Sequence, residues 1–313
     1  MPLAVIAIGG NSLILDESHK TVQDQYEAAG ATTNDIAHLV QAGWDVAISH
    51  GNGPQVGFIL RRSELSAHEL HEVPLDVCGA DTQGALGYSL QQNLANDFRE
   101  LGIHKSVATI VTQVEVSRDD PAFAKPSKPI GSFMSEADAI RRRDEEGWDV
   151  VEDAGRGWRR VVASPQPMRV VELDAVKLLL EAGIVVITVG GGGIPVVADR
   201  NGNLSGIAAV IDKDLASALL ASQLGADLLI ISTAVEKVAL NFGTPEQEWV
   251  DHFTLDEVKQ RLAEGGHFKE GSMAPKMRAV VQFLENGGTE ALITDPPSLE
   301  RAMRHETGTW ITV

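Results

Sequence analysis

Short apolar runs recur along the chain at Leu3–Ile8, Asp45–Ile48, Ser106–Val114, Ile184–Val189, Leu228–Ile231 and Ala291–Thr294. They are rich in Val and Ile and carry few polar interruptions. Strands covered on both faces have that pattern, as in parallel sheets. Between the runs the apolar positions change to helical spacing. Asn34–Gln41 places Ile36, Leu39 and Val40 on one face. Leu215–Leu224 is an Ala/Leu segment that stops at Gly225, and Met277–Glu285 stops before Gly287-Gly288. The sum is a βαβαβ series, which predicts an α/β protein: a three-layer α/β/α sandwich with a mainly parallel central sheet. Ligands of such sheets bind at the carboxyl ends of the strands, where the glycine clusters of this chain fall.

One segment breaks the pattern. Residues 118–169 hold ten Lys/Arg and ten Asp/Glu, with prolines at both ends (121, 126, 129, 165 and 167). This dense, neutral stretch is expected to be a protruding subdomain, or lid, set between two parts of an α/β core, 1–117 and 170–313. The alternative is a solvated surface excursion. The whole formal charge of −18 then falls on the rest of the 313 residues, a length that suits about two domains. Such a field repels nucleic acid and anionic membranes, so neither is an expected partner. It repels phosphates too, so each of the ten lysines matters. Cys78 is the only cysteine, which excludes an intrachain disulfide and a zinc-finger cluster and suits a reducing, cytoplasmic setting. No apolar run reaches the ~18 residues of a membrane span, and no signal peptide is evident at the start.

Six motifs bear on chemistry. Gly9-Gly10-Asn11-Ser12 follows the first strand, where glycines let backbone N–H groups approach an anion; a tight turn reads equally well. His50-Gly51-Asn52-Gly53-Pro54-Gln55-Val56-Gly57 follows the second strand. Its third glycine falls one residue late for a dinucleotide fingerprint, yet the turn opens a helix and offers free N–H groups. His50 reads as structural. Gly190-Gly191-Gly192-Gly193 exceeds what a turn requires, and close approach of a substrate to the backbone is the favoured reading. In Asp212-Lys213-Asp214, Asp214 reads as the N-cap of the next helix or as a holder of lysines. Lys213, between two carboxylates, should keep a high pKa and act as a fixed ammonium for phosphoryl transfer. In Gly271-Ser272-Met273-Ala274-Pro275-Lys276, Pro275 suits a first helical turn, and Lys276 opposes the helix dipole unless an anion binds there. In Lys125-Pro126-Ser127-Lys128-Pro129-Ile130-Gly131, prolines stiffen the loop around Lys128, otherwise an ordinary surface lysine. No P-loop is present.

Together and in this order the motifs resemble the amino acid kinase superfamily, and within it the carbamate kinases most closely. The similarity includes Arg160-Val161-Val162-Ala163-Ser164-Pro165 and Thr233-Ala234-Val235-Glu236-Lys237-Val238 with Asn241-Phe242, and it extends to Thr309-Trp310-Ile311. The resemblance implies the amino acid kinase fold, with carbamate or carbamoyl phosphate on the N-terminal half and nucleotide on the C-terminal half. It implies the reversible reaction of ATP and carbamate to ADP and carbamoyl phosphate, run towards ATP in arginine fermentation. It also implies a homodimer whose sheet continues across the interface.

By position, Gly9, Gly10 and Asn11 would contact the transferring phosphoryl group. Gly51, Asn52 and Gly53 would hold the carbamate end or that same group. Lys128 would reach in from the lid, replacing a lysine that other members carry in the first glycine loop. Lys213 and Lys276 would stabilise phosphoryl charge, and Asp214 would orient the lysines. Ala234, Val235, Val238, Gly271, Met273 and Pro275 would surround ATP or ADP, with Mg²⁺ on its phosphates and no protein-held metal. Two positions depart from the family pattern: Ser12 stands where alanine is frequent, and Ala274 where glycine is usual. Two other functions compete: another acylphosphate-forming kinase of the superfamily, which needs a carboxylate for a substrate ammonium, and a non-catalytic carbamoyl-phosphate or nucleotide sensor.

Overall fold

The computed structural model describes residues 1–10, 21–153, 155 and 157–313. Asn11 and Ser12 lie outside the described residues. The helices are α1 (Val22–Gln41), α2 (Gln55–Ser66), α3 (Leu75–Glu100), α4 (Glu136–Glu146), α5 (Leu173–Glu181), α6 (Lys213–Leu224), α7 (Leu255–Glu264), α8 (Met273–Glu285) and α9 (Leu299–Met303).

Among the described residues the main sheet has eight strands. Their spatial order is His252–Thr254, Thr309–Thr312, Glu290–Thr294, Leu228–Ser232, Leu3–Ile8, Asp45–His50, Val185–Ile187 and Val107–Thr109. Only the Glu290–Thr294 and Thr309–Thr312 pair runs antiparallel. The first strand shows why the apolar runs are continuous. Ala4, Ile6 and Ile8 belong to one core with α1 and α3, while Val5 and Ala7 belong to a second core with α6 and α8. Alternate side chains serve opposite faces, so both must be apolar. The sandwich is therefore three-layered, as the runs predict.

Two differences are instructive. Helix α1 starts at Val22, well before the predicted Asn34, on a Thr21/Asp24 capping box. Its buried side carries Gln25, Thr32 and Thr33, and a Cβ at Gly30 would stand 3.0 Å from Asn93 Oδ1 of α3. Close helix approach through small residues conceals the apolar stripe. The predicted strand 106–114 is two strands in two sheets. Val107–Thr109 closes the main sheet, whereas Gln113–Val116 joins a four-stranded sheet with Leu204–Gly206, Ile194–Ala198 and Pro167–Val170.

Within 118–169, Lys128–Met134, Trp158–Val162 and Asp149–Glu152 form an antiparallel sheet backed by α4. Helix α4 is capped by Ser135 and stopped by left-handed Gly147, φ 69°. Arg142 and Arg160 both stack on Trp148, 4.3 and 4.5 Å from its ring centre. This sheet meets α2 through glycines: a Cβ at Gly57 would lie 2.9 Å from Gly131 Cα. Among the described residues no helix is long and apolar enough to cross a membrane.

Candidate active site

The carboxyl ends of the central strands open onto a cleft of about 720 Å³. Its loops are stitched at their bases, where Gly9 N–H donates to Ser232 O and Gly51 N–H to Ile8 O, both at 3.0 Å. The first two glycine loops then touch backbone to backbone. A Cβ on Gly51 would lie 2.8 Å from Gly10 N, and one on Gly10 would lie 3.0 Å from Gly53 N. Gly53 also holds φ at +52°, a value that suits glycine. His50 is fully buried beneath them, with Nδ1 2.9 Å from Gly51 O. Burial above all lowers its pKa to about 4, so the ring is neutral and structural.

The charged floor comes from two helix starts. Asp212 is the N-cap of α6, its carboxylate accepting from Asp214 N–H, so Asp214 is not the cap. That frees Asp214 to pair with Lys213 at 2.5 Å and with Lys276 of α8 at 3.0 Å. The Asp214 side chain is 5% exposed. Burial raises its pKa, but the two ammonium groups prevail and hold it at about 2. Lys213 goes the other way: desolvation lowers its pKa against the pull of Asp214, so the expected high value is corrected. Lys276 needs no external anion to offset the helix dipole, because Asp214 supplies one. Lys128 reaches from the three-stranded sheet to Asp212 at 2.7 Å, and its side chain stays one-third exposed. The four catalytic candidates thus gather in one charged cluster: Lys213 and Lys276 on Asp214, and Lys128 beside them on Asp212, the cap of α6.

Gly10, Gly51, Asn52, Gly53, Lys128, Lys213, Asp214, Ala234, Val235, Gly271, Met273, Pro275 and Lys276 all line the cleft. Two of the described candidates do not. Gly9 sits at the base of its loop. Val238 is wholly buried in the α6/α8 core, and its strand neighbour Ala239 faces the cleft instead, as period-two alternation requires. Ala274 also points away: it is 1% exposed in the core, so its methyl does not meet a ligand.

Other lining residues were given no site role from the sequence. Arg159, Lys237 and Lys269 bring the charged lining, among the described residues, to six cations against two carboxylates. Phe242 and Trp249 pack edge to face at 6.4 Å and are both more than half exposed. Exposed aromatics in a cleft are the available signal for a planar ligand. Asn52 Oδ1 is buried and has no hydrogen-bond partner among the described residues.

The Gly190–Gly193 reading is corrected in part. A Cβ at Gly190 would stand 2.4 Å from His50 Nε2, at Gly191 1.9 Å from Asn52 Oδ1, at Gly192 2.5 Å from Ile211 O, and at Gly193 2.2 Å from Val114 Cγ2. Protein atoms, not a substrate, impose all four glycines, and of the four only Gly191 lines the cleft.

Paired helix starts, glycine loops and buried ammonium groups at strand ends are the equipment of a phosphoryl-transfer site. The chain belongs to the amino acid kinase family, whose model matches residues 2–295, and it is a kinase. Within that family it stands with carbamate kinases and carbamate kinase-like proteins. It is 48% identical to the carbamate kinase-like protein YahI of Escherichia coli, over 99% of this chain and 98% of that one. It is 45% identical to carbamate kinase of Pyrococcus horikoshii, over 98% of each. Carbamate kinase from Giardia lamblia bound to AMP-PNP superposes with a TM-score of 0.92 at 37% identity, covering 99% of this chain and 98% of that one.

Proposed function

We propose that this kinase transfers a phosphoryl group reversibly between ATP and carbamate, forming ADP and carbamoyl phosphate. The observation that carries the reading is Asp214 holding both Lys213 and Lys276 on the cleft floor, with Lys128 opposite on the lid. Three ammonium groups around one point suit the charge that spreads over a transferring phosphoryl group. The carbamate oxygen is already anionic, so in-line attack needs no general base. Both lining carboxylates among the described residues are engaged by lysines. This favours carbamate over an amino acid, whose ammonium would need a free carboxylate. The unpartnered Asn52 Oδ1 complements the amino group of carbamate.

On this reading Ala234, Val235, Gly271, Met273 and Pro275 border the nucleotide, and Phe242 and Trp249 offer its base an aromatic wall. Mg²⁺ would arrive on the nucleotide phosphates, since the cleft carboxylates are already paired. It would lower the negative charge facing Lys128, Lys213 and Lys276. Residues 118–169 act as the lid. The reading extends to a cytoplasmic homodimer that makes ATP in arginine breakdown. Among the described residues no further strand pairs with the outer side of Val107–Thr109, where Thr109 N–H donates to Gln91 Oε1 at 2.9 Å; that open side supports a sheet continued in a second copy.

The test is ATP formation from ADP with carbamoyl phosphate, compared with acetyl phosphate and amino acid acylphosphates. Turnover with carbamoyl phosphate is expected to be the fastest by more than tenfold. Preference for another acylphosphate, or binding of carbamoyl phosphate with no turnover, would overturn the reading.

A further inference from the structure

Gln83 of α3, Thr112 and the Val189–Gly193 turn meet at a buried corner outside the charged floor. Two neighbouring strands bend there together. Val107–Thr109 pairs with Val185–Ile187 in the main sheet, and their continuations Gln113–Val116 and Ile194–Ala198 pair again in the four-stranded sheet. Between the two pairings the ladder is interrupted, and side chains replace it. Gln83 Nε2 donates to Thr112 O at 3.0 Å and to Gly190 O at 2.9 Å, and Gln83 Oε1 accepts from Thr112 N–H at 2.7 Å. Thr112 Oγ1 accepts from Val189 N–H at 3.1 Å and lies 2.7 Å from Thr188 Oγ1. Gln83, Thr112, Thr188 and Val189 are all at most 1% exposed.

The corner also holds Val189 at φ +52°, in the left-handed region that β-branched residues avoid. A fully satisfied polar network in that position over-determines the backbone. What it fixes is specific. Gly191 is pressed against Asn52, and Gly192 against the carbonyl of Ile211, which precedes Asp212. One rigid turn therefore spaces the Gly51–Gly53 loop from the start of α6.

We infer that Gln83 and Thr112 are positioning residues. They hold the Val189–Gly193 turn as a spacer that sets the separation between the Gly51–Gly53 loop and Lys213. The inference rests on the kinase reading above for its effect on rate, not for its effect on structure. Neither residue touches the cleft, so each acts through the turn.

The experiment compares Thr112→Val, which removes the hydroxyl at nearly constant shape, with Thr112→Ser, which keeps it. Gln83→Met is the second variant. Turnover and amide hydrogen exchange are read well below each variant's Tm. T112V and Q83M should lower kcat by ~10–100-fold, the scale of a sub-ångström to 1 Å misplacement, with KM for ADP within ~3-fold. T112S should hold kcat within ~2-fold. Amides of 50–54 and 189–193 should exchange at least ~10-fold faster in T112V than in T112S. Unchanged exchange in both segments, or kcat unchanged in both T112V and Q83M, overturns the inference. A wild-type enzyme that makes no ATP from carbamoyl phosphate defeats the functional reading alone, and the exchange measurement still decides the spacer.

Discussion

The cleft carries its cations in two different ways. On the floor, Lys213 and Lys276 share one carboxylate, and their side chains are 12% and 14% exposed. They stand on α6 and α8, packed in the core. On the three-stranded sheet of residues 118–169, Lys128 is one-third exposed and pairs with Asp212, a residue whose other oxygen caps α6. Floor charges are desolvated and cannot leave without stranding Asp214. The Lys128 charge is partly hydrated and can exchange Asp212 for a better anion at small cost. The floor charges are thus fixed in place, whereas on the proposed function Lys128 would make its contact as substrate arrives.

That contrast can be broken in graded steps. Asp214→Asn should be the most damaging, because it strands two buried ammonium groups. It is expected to lower kcat by ~10³-fold and stability by about 3–5 kcal/mol, read by turnover and urea unfolding. Lys128→Ala should cost ~10–100-fold in kcat/KM with Tm almost unchanged; a Tm loss matching that of Asp214→Asn would erase the distinction. Asn52→Leu should raise KM for carbamoyl phosphate by ~10-fold and narrow its advantage over acetyl phosphate. Retained discrimination would remove Asn52 from amino-group recognition.

The smallest effect concerns pH. His50 titrates near 6.5 unfolded and at about 4 folded, burial being the main cause. Between those values the unfolded chain binds the extra proton, so stability falls as pH falls through the window, by up to about 3 kcal/mol. Asp35 acts oppositely. Burial raises it from 3.8 to about 6, so the folded state binds the extra proton and gains as pH falls from 6 towards 4. His50→Gln should therefore flatten or invert the slope of unfolding free energy between pH 6.5 and 4.5. An unchanged slope would show that another group sets it.

The sequence disclosed the layered core well, because strands such as Leu3–Ile8 feed two cores and are apolar throughout. It brought forward Lys128, Lys213, Asp214 and Lys276 as candidates through scarcity of lysine and motif order, and the structure gathers them in one cleft. It did not disclose Asp212 as the cap, since two acids flanking one lysine read alike until the helix start is known. Nor did it show why four glycines follow Thr188-Val189. That reason is the space taken by His50, Asn52, Ile211 and Val114, all distant in sequence. The long helix α3 was also hidden: its buried side includes Thr82, Gln83 and Gly87, so apolar periodicity is weak where it serves the corner. The acidity resolves in the same way. Among the described residues five of the ten lysines face one cleft, and the acidic excess lies outside it.

The central claim is that two largely buried lysines on one aspartate stabilise the transferring phosphoryl group. Its most direct test is kcat for ATP formation from ADP and carbamoyl phosphate in Lys213→Ala and Lys276→Ala. Each should fall by ~10²–10³-fold, the scale of a lost preorganised charge stabiliser, with KM for ADP shifted far less. Near-wild-type turnover in both variants would contradict it.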